Sequence, residues 1–391
     1  MRWGNVSEVD VTNKGIDLFQ KNNPGSTVDF QHVVQDYASK LQTSIAGNVA
    51  PDVFLLGAAD FTPYMTKGLL ENQLPYIQRD HFDIDDYYEA GTKQYLYQGK
   101  QGGMPRGLGR TGLIYNQDLF AKAGLQPPPT DWNAKGWDFA AFLDSAQKIV
   151  GASKGGPTTY GLLFQPTNFR HWAGMIWSNG GQVFSDDDKT VLLDQPPAVE
   201  ALQAMADWIF KHKVAPRTEN TSDESPMSLF TTGRIGMEFT EPFTFAERRK
   251  AAKFTWDAAV TPAGAGGRVV GGGGAGWLSY SGSKNKDATW KFFSFLAGKE
   301  FQTMECEAGT TTPPRKSVTN APCFLNAGTP KHMDVFATNL QIMRTDPSLP
   351  RWNELITAWN KELSYLWTGE RDAKTVTAAM KKVGEPLLVT P

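Results

Sequence analysis

Apolar residues recur along the chain at two alternating spacings. Tyr37, Leu41 and Ile45 fall four residues apart, which predicts one face of a helix. Asp52–Leu56 is a short apolar run of the kind that a buried strand shows. Before them, Thr27–Val34 is rich in β-branched and aromatic residues and predicts a further strand. This alternation indicates an α/β domain, whose ligands bind at the carboxyl ends of its strands.

The rest of the chain shows longer helical periodicities and two glycine-rich interruptions. Helices are predicted at Gln117–Ala123, Trp137–Val150, Asn168–Ser178, Ala198–His212, Asp287–Leu296, His332–Arg344, Trp352–Trp367 and Ala373–Val383. The glycine-rich stretches at 102–112 and 264–274 predict flexible connections. A chain of 391 residues is too long for one ordinary core. It suits two domains of somewhat under about 200 residues each.

Charge and hydropathy exclude several classes of protein. The 39 basic and 41 acidic residues give a net charge of −2 without a long basic run, so neither nucleic acid nor an anionic membrane is an expected partner. No stretch approaches the length of apolar sequence that spans a bilayer. Met1–Asn5 reads as part of a first strand rather than as a signal peptide, which fits a cytoplasmic protein or one whose export segment has been removed.

Motifs of catalysis and metal binding are missing from the sequence. It contains no GxSxG elbow, HExxH, Walker A or CxxC motif, and its five histidines are scattered. Acidic pairs such as Asp85-Asp86 are more typical of solvated turns than of paired-carboxylate hydrolysis. We therefore expect a protein that is not an enzyme and that uses no metal and no cofactor.

The two cysteines, Cys306 and Cys323, lie 17 residues apart in one loop-rich stretch. In an oxidising compartment this spacing can close a small disulfide loop. The pair can equally be incidental, because two cysteines in a chain of this length need no special role. A metal site is the weaker interpretation, since neither paired histidines nor a CxxC motif accompanies them.

Aromatic residues are abundant, and some stand beside glycine and a polar partner. Examples among the 12 tryptophans are Trp3, next to Gly4-Asn5, and Trp277, next to Gly276. Aromatic faces pack against the C–H face of a pyranose, while carboxylates, asparagine and arginine bind its hydroxyls. At any single position, a buried aromatic residue beside a capping polar residue is the simpler interpretation.

Several short segments, taken in order, resemble one protein family. They are Tyr37-x-x-Lys40-Leu41 with IAGNVAPDV at 45–53, Gly103-Met104-Pro105 with LIYNQDLFAKAGL at 113–125, Gly180-Gly181, Gly233–Met237, Ser283-Lys284-Asn285 and Gly309–Pro314. In this order they resemble the extracellular solute-binding proteins of group 1, the maltose-binding-protein-like subunits of ABC sugar importers. Each segment is degenerate, but the ordered set is specific and spans nearly the whole chain.

The resemblance implies a periplasmic-binding-protein-like α/β fold, with two α/β lobes, a hinge of three crossovers and a ligand cleft between the lobes. The crossovers then place the N-terminal lobe at 1–110 plus 263–312 and the C-terminal lobe at 111–262 plus 313–391. The expected protein is a monomer in the periplasmic or extracellular space. It captures a sugar or oligosaccharide by cleft closure and delivers this carbohydrate to the membrane permease subunits of an ABC transporter.

The resemblance also implies which loops of this chain should line the ligand cleft. The ligand-binding residues expected there are Trp3, Asn5, Tyr37, Asp60, Phe61, Arg106, Trp172, Glu241, Gly274, Trp277 and Arg315. Trp172 is expected to stack against the ligand, with burial in the core as its alternative. Arg106, Arg110 and Arg315 add positive charge near the crossovers. They motivate the alternative that the same fold binds a glycerophosphodiester, sugar acid or other anionic polar metabolite.

Overall fold

A computed structural model describes residues 1–217, 225–338 and 340–388 of the chain. The chain divides into two units, and each unit is discontinuous in sequence. Unit 1 comprises Met1–Gly109, Gly273–Leu325 and Pro347–Pro350. Unit 2 comprises Arg110–Gly272, Asn326–Asp346 and Arg351–Pro391.

Helices occur in both units and range from one turn to more than four turns. They are α1 (Val6–Asn22), α2 (Tyr37–Ala46), α3 (Phe61–Thr66), α4 (Leu74–Arg79), α5 (Glu89–Thr92), α6 (Gln117–Lys122), α7 (Phe139–Ala152), α8 (Phe169–Ser178), α9 (Pro196–Phe210), α10 (Pro226–Thr231), α11 (Phe245–Ala251), α12 (Lys286–Ala297), α13 (Lys299–Glu307), α14 (Lys316–Thr319), α15 (Pro322–Leu325), α16 (Asp334–Thr338), α17 (Trp352–Trp367) and α18 (Ala373–Leu388).

The strands are short. They are β1 (Val53–Gly57), β2 (Leu96–Tyr97), β3 (Lys100–Gln101), β4 (Gly103–Pro105), β5 (Gly109–Arg110), β6 (Gly112–Asn116), β7 (Tyr160–Leu163), β8 (Ile235–Thr240), β9 (Trp256–Ala259), β10 (Val270–Gly273), β11 (Ala275–Ser279) and β12 (Met343–Thr345). Single 3-10 turns follow β1 and β8, at Ala58–Asp60 and Pro242–Thr244.

Unit 1 is built on an antiparallel sheet in the order β1-β11-β4. Successive residues of β1 point to opposite faces of this sheet. Phe54 packs into a cluster with Phe61 and Leu278 on one face, whereas Leu55 joins Trp277 and Phe293 on the other. Because both faces are covered, β1 reads in sequence as an unbroken apolar run rather than as an alternating one.

Unit 2 is built on a four-stranded sheet in the order β7-β8-β6-β9. β7 runs parallel to β8, and β6 runs antiparallel to both of its neighbours. Phe142 of α7 packs on this sheet, with its ring centroid 5.5 Å from that of Phe239 on β8. The carboxyl end of β8 therefore has a fixed position, and the polar residues that follow it are held there.

Two of the predicted elements are replaced by something else. Thr27–Val34 pairs only through the bridge between Arg2 and His32, so the predicted strand is largely not formed. The helix predicted at His332–Arg344 is wrong, because α16, a 3-10 turn and β12 occupy its described part, while residue 339 lies outside the described residues. Met343–Thr345 forms a strand because it pairs in parallel with β10. Tertiary contacts thus override a weak local preference for helix.

Cys306 and Cys323 form a disulfide inside unit 1. The bond joins α13 to α15 across a separation of 17 residues. Closing a loop of this size restricts the unfolded chain and is worth about 3 kcal/mol in the chain-entropy model. The bond fixes the turn that leads from α13 toward Arg315.

Candidate functional site

The predicted residues of unit 1 fall into separate groups, and the first contains a buried cluster of four charges. Arg106 Nε donates to Glu305 Oε1 at 2.6 Å, and Arg106 Nη2 lies 3.0 Å from Glu8 Oε1. Arg2 Nη2 lies 3.0 Å from the same Glu8 oxygen, and Arg2 Nη1 lies 3.7 Å from Glu305. Two positive and two negative charges therefore cancel within the cluster.

Asn5 belongs to the same group through the first turn of α1. Its Oδ1 accepts from the backbone N–H of Glu8 at 3.0 Å, and Glu8 Oε2 accepts from the backbone N–H of Asn5 at 2.9 Å. This capping box explains why α1 begins where it does. It also orients Glu8, which lies between the two arginines of the cluster.

The second group combines Asp60, Phe61 and Gly274. Phe61 is buried with its ring centroid 5.6 Å from that of Tyr95, and Asp60 ends the 3-10 turn after β1. The carbonyl of Gly274 accepts from the N–H of Ala58 in that turn at 2.9 Å. A Cβ at Gly274 would lie 2.0 Å from the carbonyl oxygen of Gly107, so only glycine allows this close approach of two backbones.

Trp3 and Tyr37 form the third group, and both are half-buried. Their ring centroids lie 4.7 Å apart with the planes nearly perpendicular. Tyr37 Oη donates to the carbonyl of Leu55 at 2.6 Å, and burial raises the pKa of this phenol. Tyr37 is thus a fixed, neutral hydroxyl on the edge of an aromatic pair. Trp277, in contrast, is buried, with Arg2 at 5.6 Å from its ring centroid.

Arg315 stands apart from these three groups. It is buried, its Nη1 lies 3.1 Å from Asp86 Oδ2, and its guanidinium lies 4.3 Å from the ring centroid of Tyr87. In unit 2, Arg110 Nη1 donates to the carbonyl of Phe336 at 2.5 Å. Together with the neutral cluster around Arg106, these contacts engage all three arginines that motivated an anionic ligand. Arg106 and Arg315 are each paired with carboxylates of their own unit, and Arg110 donates to a backbone carbonyl, which weakens the reason for that alternative.

In unit 2, Glu241 stands directly after β8 with polar neighbours around it. Thr111 Oγ1 donates to Glu241 Oε1 at 3.4 Å, and His171 Nε2 lies 3.7 Å from the same oxygen. Burial opposes the charge of Glu241, but the adjacent His171, with Arg170 and Thr111, outweighs burial and lowers the pKa of this carboxyl to about 2. Glu241 is therefore an ionised acceptor at the carboxyl end of a strand, where α/β domains bind their ligands.

His171 is a candidate that the predicted residues did not include. Its Nδ1 accepts from the backbone N–H of Gln165 at 3.0 Å, so Nε2 carries the proton of the neutral ring. That N–H has no acceptor within hydrogen-bonding distance among the described residues. It lies in a small pocket lined in part by Thr111, Gly174 and Phe239. A donor and an acceptor thus stand side by side, and both side chains are buried in this structure.

Phe243 is the second candidate missing from the predicted residues. It lies in the 3-10 turn immediately after Glu241, and 51% of its surface is exposed. Single exposed apolar side chains are common on protein surfaces, so Phe243 is a candidate because it directly follows Glu241 and its ring is available to stack on a sugar face. The sequence Glu241-Pro242-Phe243 carried the signal, but nothing local distinguished Phe243 from the many buried phenylalanines.

Trp172, in contrast, has no exposed surface. It lies on α8, whose first turn is capped by Asn168, and its ring centroid is 4.9 Å from that of Phe169 and 6.0 Å from that of Trp359. These contacts favour the core role that the sequence left open. A stacking role for Trp172 stays a prediction without support from its surroundings.

Two further properties concern the described residues as a whole. Among them, no group of three or more His, Cys, Asp or Glu side chains is placed to hold a metal ion. None of the helices in that part of the chain combines the length and the apolar character of a membrane span. The candidate site in unit 2 comprises Glu241, His171, Thr111 and the exposed ring of Phe243.

Comparisons with known proteins show the family of the chain. Residues 14–329 match the family model of the bacterial extracellular solute-binding proteins. A putative binding protein of Brucella abortus (strain 2308) is 27% identical over 368 residues, which cover 93% of this chain and 86% of the relative. A maltooligosaccharide ABC transporter solute-binding lipoprotein of Streptococcus pneumoniae (strain ATCC BAA-255 / R6) is 25% identical over 84% of this chain and 74% of its own length.

A solved structure gives the same result for the fold. The ABC substrate-binding protein of Listeria monocytogenes in complex with cycloalternan superposes with a TM-score of 0.88 at 27% identity, covering 98% of this chain and 97% of that protein. Because the family model covers most of the chain, the protein belongs to the bacterial extracellular solute-binding protein family. Its fold is the periplasmic-binding-protein-like α/β fold.

Proposed function

We propose that this protein captures a sugar or oligosaccharide outside the cytoplasm and delivers it to an ABC importer. Membership of the solute-binding family supports a transport role. The names of the Streptococcus and Listeria relatives refer to maltooligosaccharide and cycloalternan, which are neutral carbohydrates. Binding rather than catalysis is the task of such a subunit, and the solute is expected to leave chemically unchanged.

The observation that carries the proposal is the grouping of three side chains at the carboxyl end of β8. There an exposed aromatic ring, Phe243, follows an ionised acceptor, Glu241, and the donor N–H of His171 lies beside that acceptor. An aromatic face together with paired donor and acceptor groups is what a pyranose needs. Engagement of Arg106, Arg110 and Arg315 inside their own units favours a neutral solute over an anionic one.

The mechanism that we propose is capture by closure of two lobes, with 1–110 plus 263–312 forming one lobe and 111–262 plus 313–391 the other. A solute shifts the equilibrium between the open and closed forms because it binds the closed form more tightly than the open form. The proposed partners are the permease subunits of the importer, with a monomeric binding protein acting on the outer side of the membrane.

A solute panel tests the proposal. Neutral mono-, di- and oligosaccharides should include at least one that raises the melting temperature, because a solute at a hundred times its Kd stabilises the native state by about 2.7 kcal/mol. Chromatography of the recovered sugar should show it intact. Stabilisation by glycerol phosphate or sugar acids alone would contradict a neutral solute, and accumulation of cleaved product would contradict a binding role.

Replacement of Phe243 by alanine is expected to weaken binding of the sugar found in that panel by about 2 kcal/mol, the loss typical of a central aromatic contact. This loss corresponds to about a thirtyfold increase in Kd. The stability of the free protein should change by less than about 0.5 kcal/mol, since the ring is half exposed. Calorimetry and denaturant melts of the same preparations measure the two quantities.

Leu96 provides the matched control for this variant. It is 44% exposed in the β2–β3 hairpin of unit 1, so Leu96→Ala removes a similar apolar surface away from β8. Its Kd for the sugar should equal that of the unmodified protein. An unchanged Kd for Phe243→Ala would show that Phe243 does not contact the solute, and the candidate site in unit 2 would then be misplaced.

A further inference from the structure

The turn that carries Phe243 is short and is anchored at both of its ends. β8 lies before it, and Phe245, the first residue of α11, follows it and is buried. The ring centroid of Phe245 lies 5.4 Å from that of Trp256 on β9 and 5.2 Å from that of Phe336 on α16. The core thus fixes the backbone on either side, so the position of the Phe243 ring depends on the conformation of the three residues in the turn.

Thr244 closes this turn with its side chain as well as with its backbone. Its Oγ1 donates to the carbonyl of Glu241 at 2.8 Å, and its N–H donates to the same carbonyl at 3.2 Å. Thr244 Oγ1 also lies 3.1 Å from Thr240 Oγ1 on β8. Because the Thr244 hydroxyl has a single hydrogen, Thr240 is the donor in this second contact. One hydroxyl therefore joins the end of the strand to the end of the turn.

A buried ion pair supports the same residue from the first turns of α11. Arg248 Nη1 donates to the carbonyl of Thr244 at 3.4 Å, and Arg248 Nη2 binds a carboxylate oxygen of Glu238 on β8. Both charged side chains are buried. Separation of the pair would leave an uncompensated charge in the interior, so the pair stays formed in the folded unit. Thr244 is consequently held through its hydroxyl, its N–H and its carbonyl.

Phe243 has no comparable support of its own, since half of its surface is exposed. We propose that Thr244 is a positioning residue for solute binding, whose hydroxyl fixes the turn so that the Phe243 ring is held ready to stack on a sugar. This inference rests on the proposed function of the site. Thr244 acts through the ring and not by contact with the solute. A ring held in its bound position raises affinity, because less conformational freedom is lost when the solute binds.

Two substitutions of Thr244 in the full chain test the role of the hydroxyl. Thr244→Val removes the hydroxyl and keeps the shape of the side chain, and it should raise the Kd of the sugar found in the solute panel about fivefold. The increase should be smaller than that for Phe243→Ala, because the ring is displaced rather than removed. Thr244→Ser keeps the hydroxyl and should bind within about twofold of the unmodified protein. Calorimetry measures each Kd.

Thr231→Val is the matched control for the loss of a threonine hydroxyl. Thr231 is also half-buried in unit 2, and its Oγ1 donates to the carbonyl of Met227 within α10 at 2.9 Å. Denaturant melts should show a similar loss of stability for Thr231→Val and Thr244→Val. The Kd of Thr231→Val should equal that of the unmodified protein, which separates positioning from a general effect on stability.

The double variant Thr244→Val with Phe243→Ala tests whether the hydroxyl acts through the ring. Once Phe243 is alanine, Thr244→Val should raise Kd further by less than about twofold, because residues that act as one unit are not additive. A full fivefold increase in that background would overturn the proposal. A Thr244→Ser variant that binds as weakly as Thr244→Val would overturn it as well.

Failure of the proposed function gives a different result from failure of this inference. An unchanged Kd for Phe243→Ala would remove the binding role of the ring and, with it, the positioning role of Thr244. Weaker binding by Phe243→Ala together with an unchanged Kd for Thr244→Val would leave the site in place and overturn the positioning role alone. Weaker binding by both single variants, with rescue by serine and without additivity, is the result that supports the proposal.

Discussion

Replacement of Trp172 by alanine is expected to lower the free energy of unfolding of unit 2 by about 3–5 kcal/mol, the range for loss of a buried tryptophan. The ring is fully buried between Phe169 and Trp359, so its removal leaves a cavity that these neighbours cannot close without losing their own contacts. Urea unfolding of the solute-free protein, followed by circular dichroism, measures the change. Protein that remains folded should bind its sugar with nearly unchanged Kd.

The half-buried Trp132 supplies a control in the same unit. Trp132→Ala removes a ring of the same size from a more exposed position and should cost clearly less stability than Trp172→Ala. The opposite pattern for Trp172, a loss of affinity with unfolding unchanged, would restore the stacking role predicted from the sequence. The two roles are therefore distinguished by which of two independent measurements changes.

Glu305→Ala is expected to destabilise unit 1 by about 3–5 kcal/mol, because it breaks a buried charge cluster by removing one partner. Burial raises the pKa of Glu305, but Arg106 and Arg2 act against that rise and favour its ionised form. Without this carboxylate, the two arginines would face only Glu8, and one positive charge would stay uncompensated in the interior. Thermal and urea unfolding of the variant measure the loss.

The double variant Arg106→Met with Glu305→Leu tests whether charge imbalance is the cause. It removes one charge of each sign and leaves Arg2 with Glu8, which lie 3.0 Å apart. Apolar replacement of a buried ion pair is often neutral or stabilising, so the double variant should recover most of the stability lost in Glu305→Ala. A double variant as unstable as the single one would mean that shape rather than charge is decisive at this position.

Local sequence patterns predicted the helices well where amphipathic periodicity was long. The predicted bounds of Trp352–Trp367 are those of α17, since its tryptophan and leucine positions recur at helical spacing over four turns. Shorter elements depended on partners elsewhere. Met343–Thr345 became a strand because β10 lies beside it, whereas Thr27–Val34 pairs, among the described residues, through the bridge between Arg2 and His32.

The candidate site was predicted by loop rather than by side chain. Solute binding by the loop after β8 stays a prediction; in the structure Glu241 of this loop has Thr111 and His171 as neighbours. The sequence could not predict that Phe243 is exposed and Trp172 is buried. Both residues stand beside polar residues in sequence, and only packing distinguishes them. The charge of Arg106 was likewise misread, since its partner Glu305 lies 199 residues away.

By itself, the sequence determined the properties that depend on neighbouring residues: helical periodicity, the alternation of an α/β chain, and the ordered motifs of the solute-binding family. Only the tertiary structure decided which aromatic rings are buried and which arginines are paired with carboxylates. These properties depend on contacts between residues far apart in sequence, and the free energy of such contacts has no counterpart in local composition.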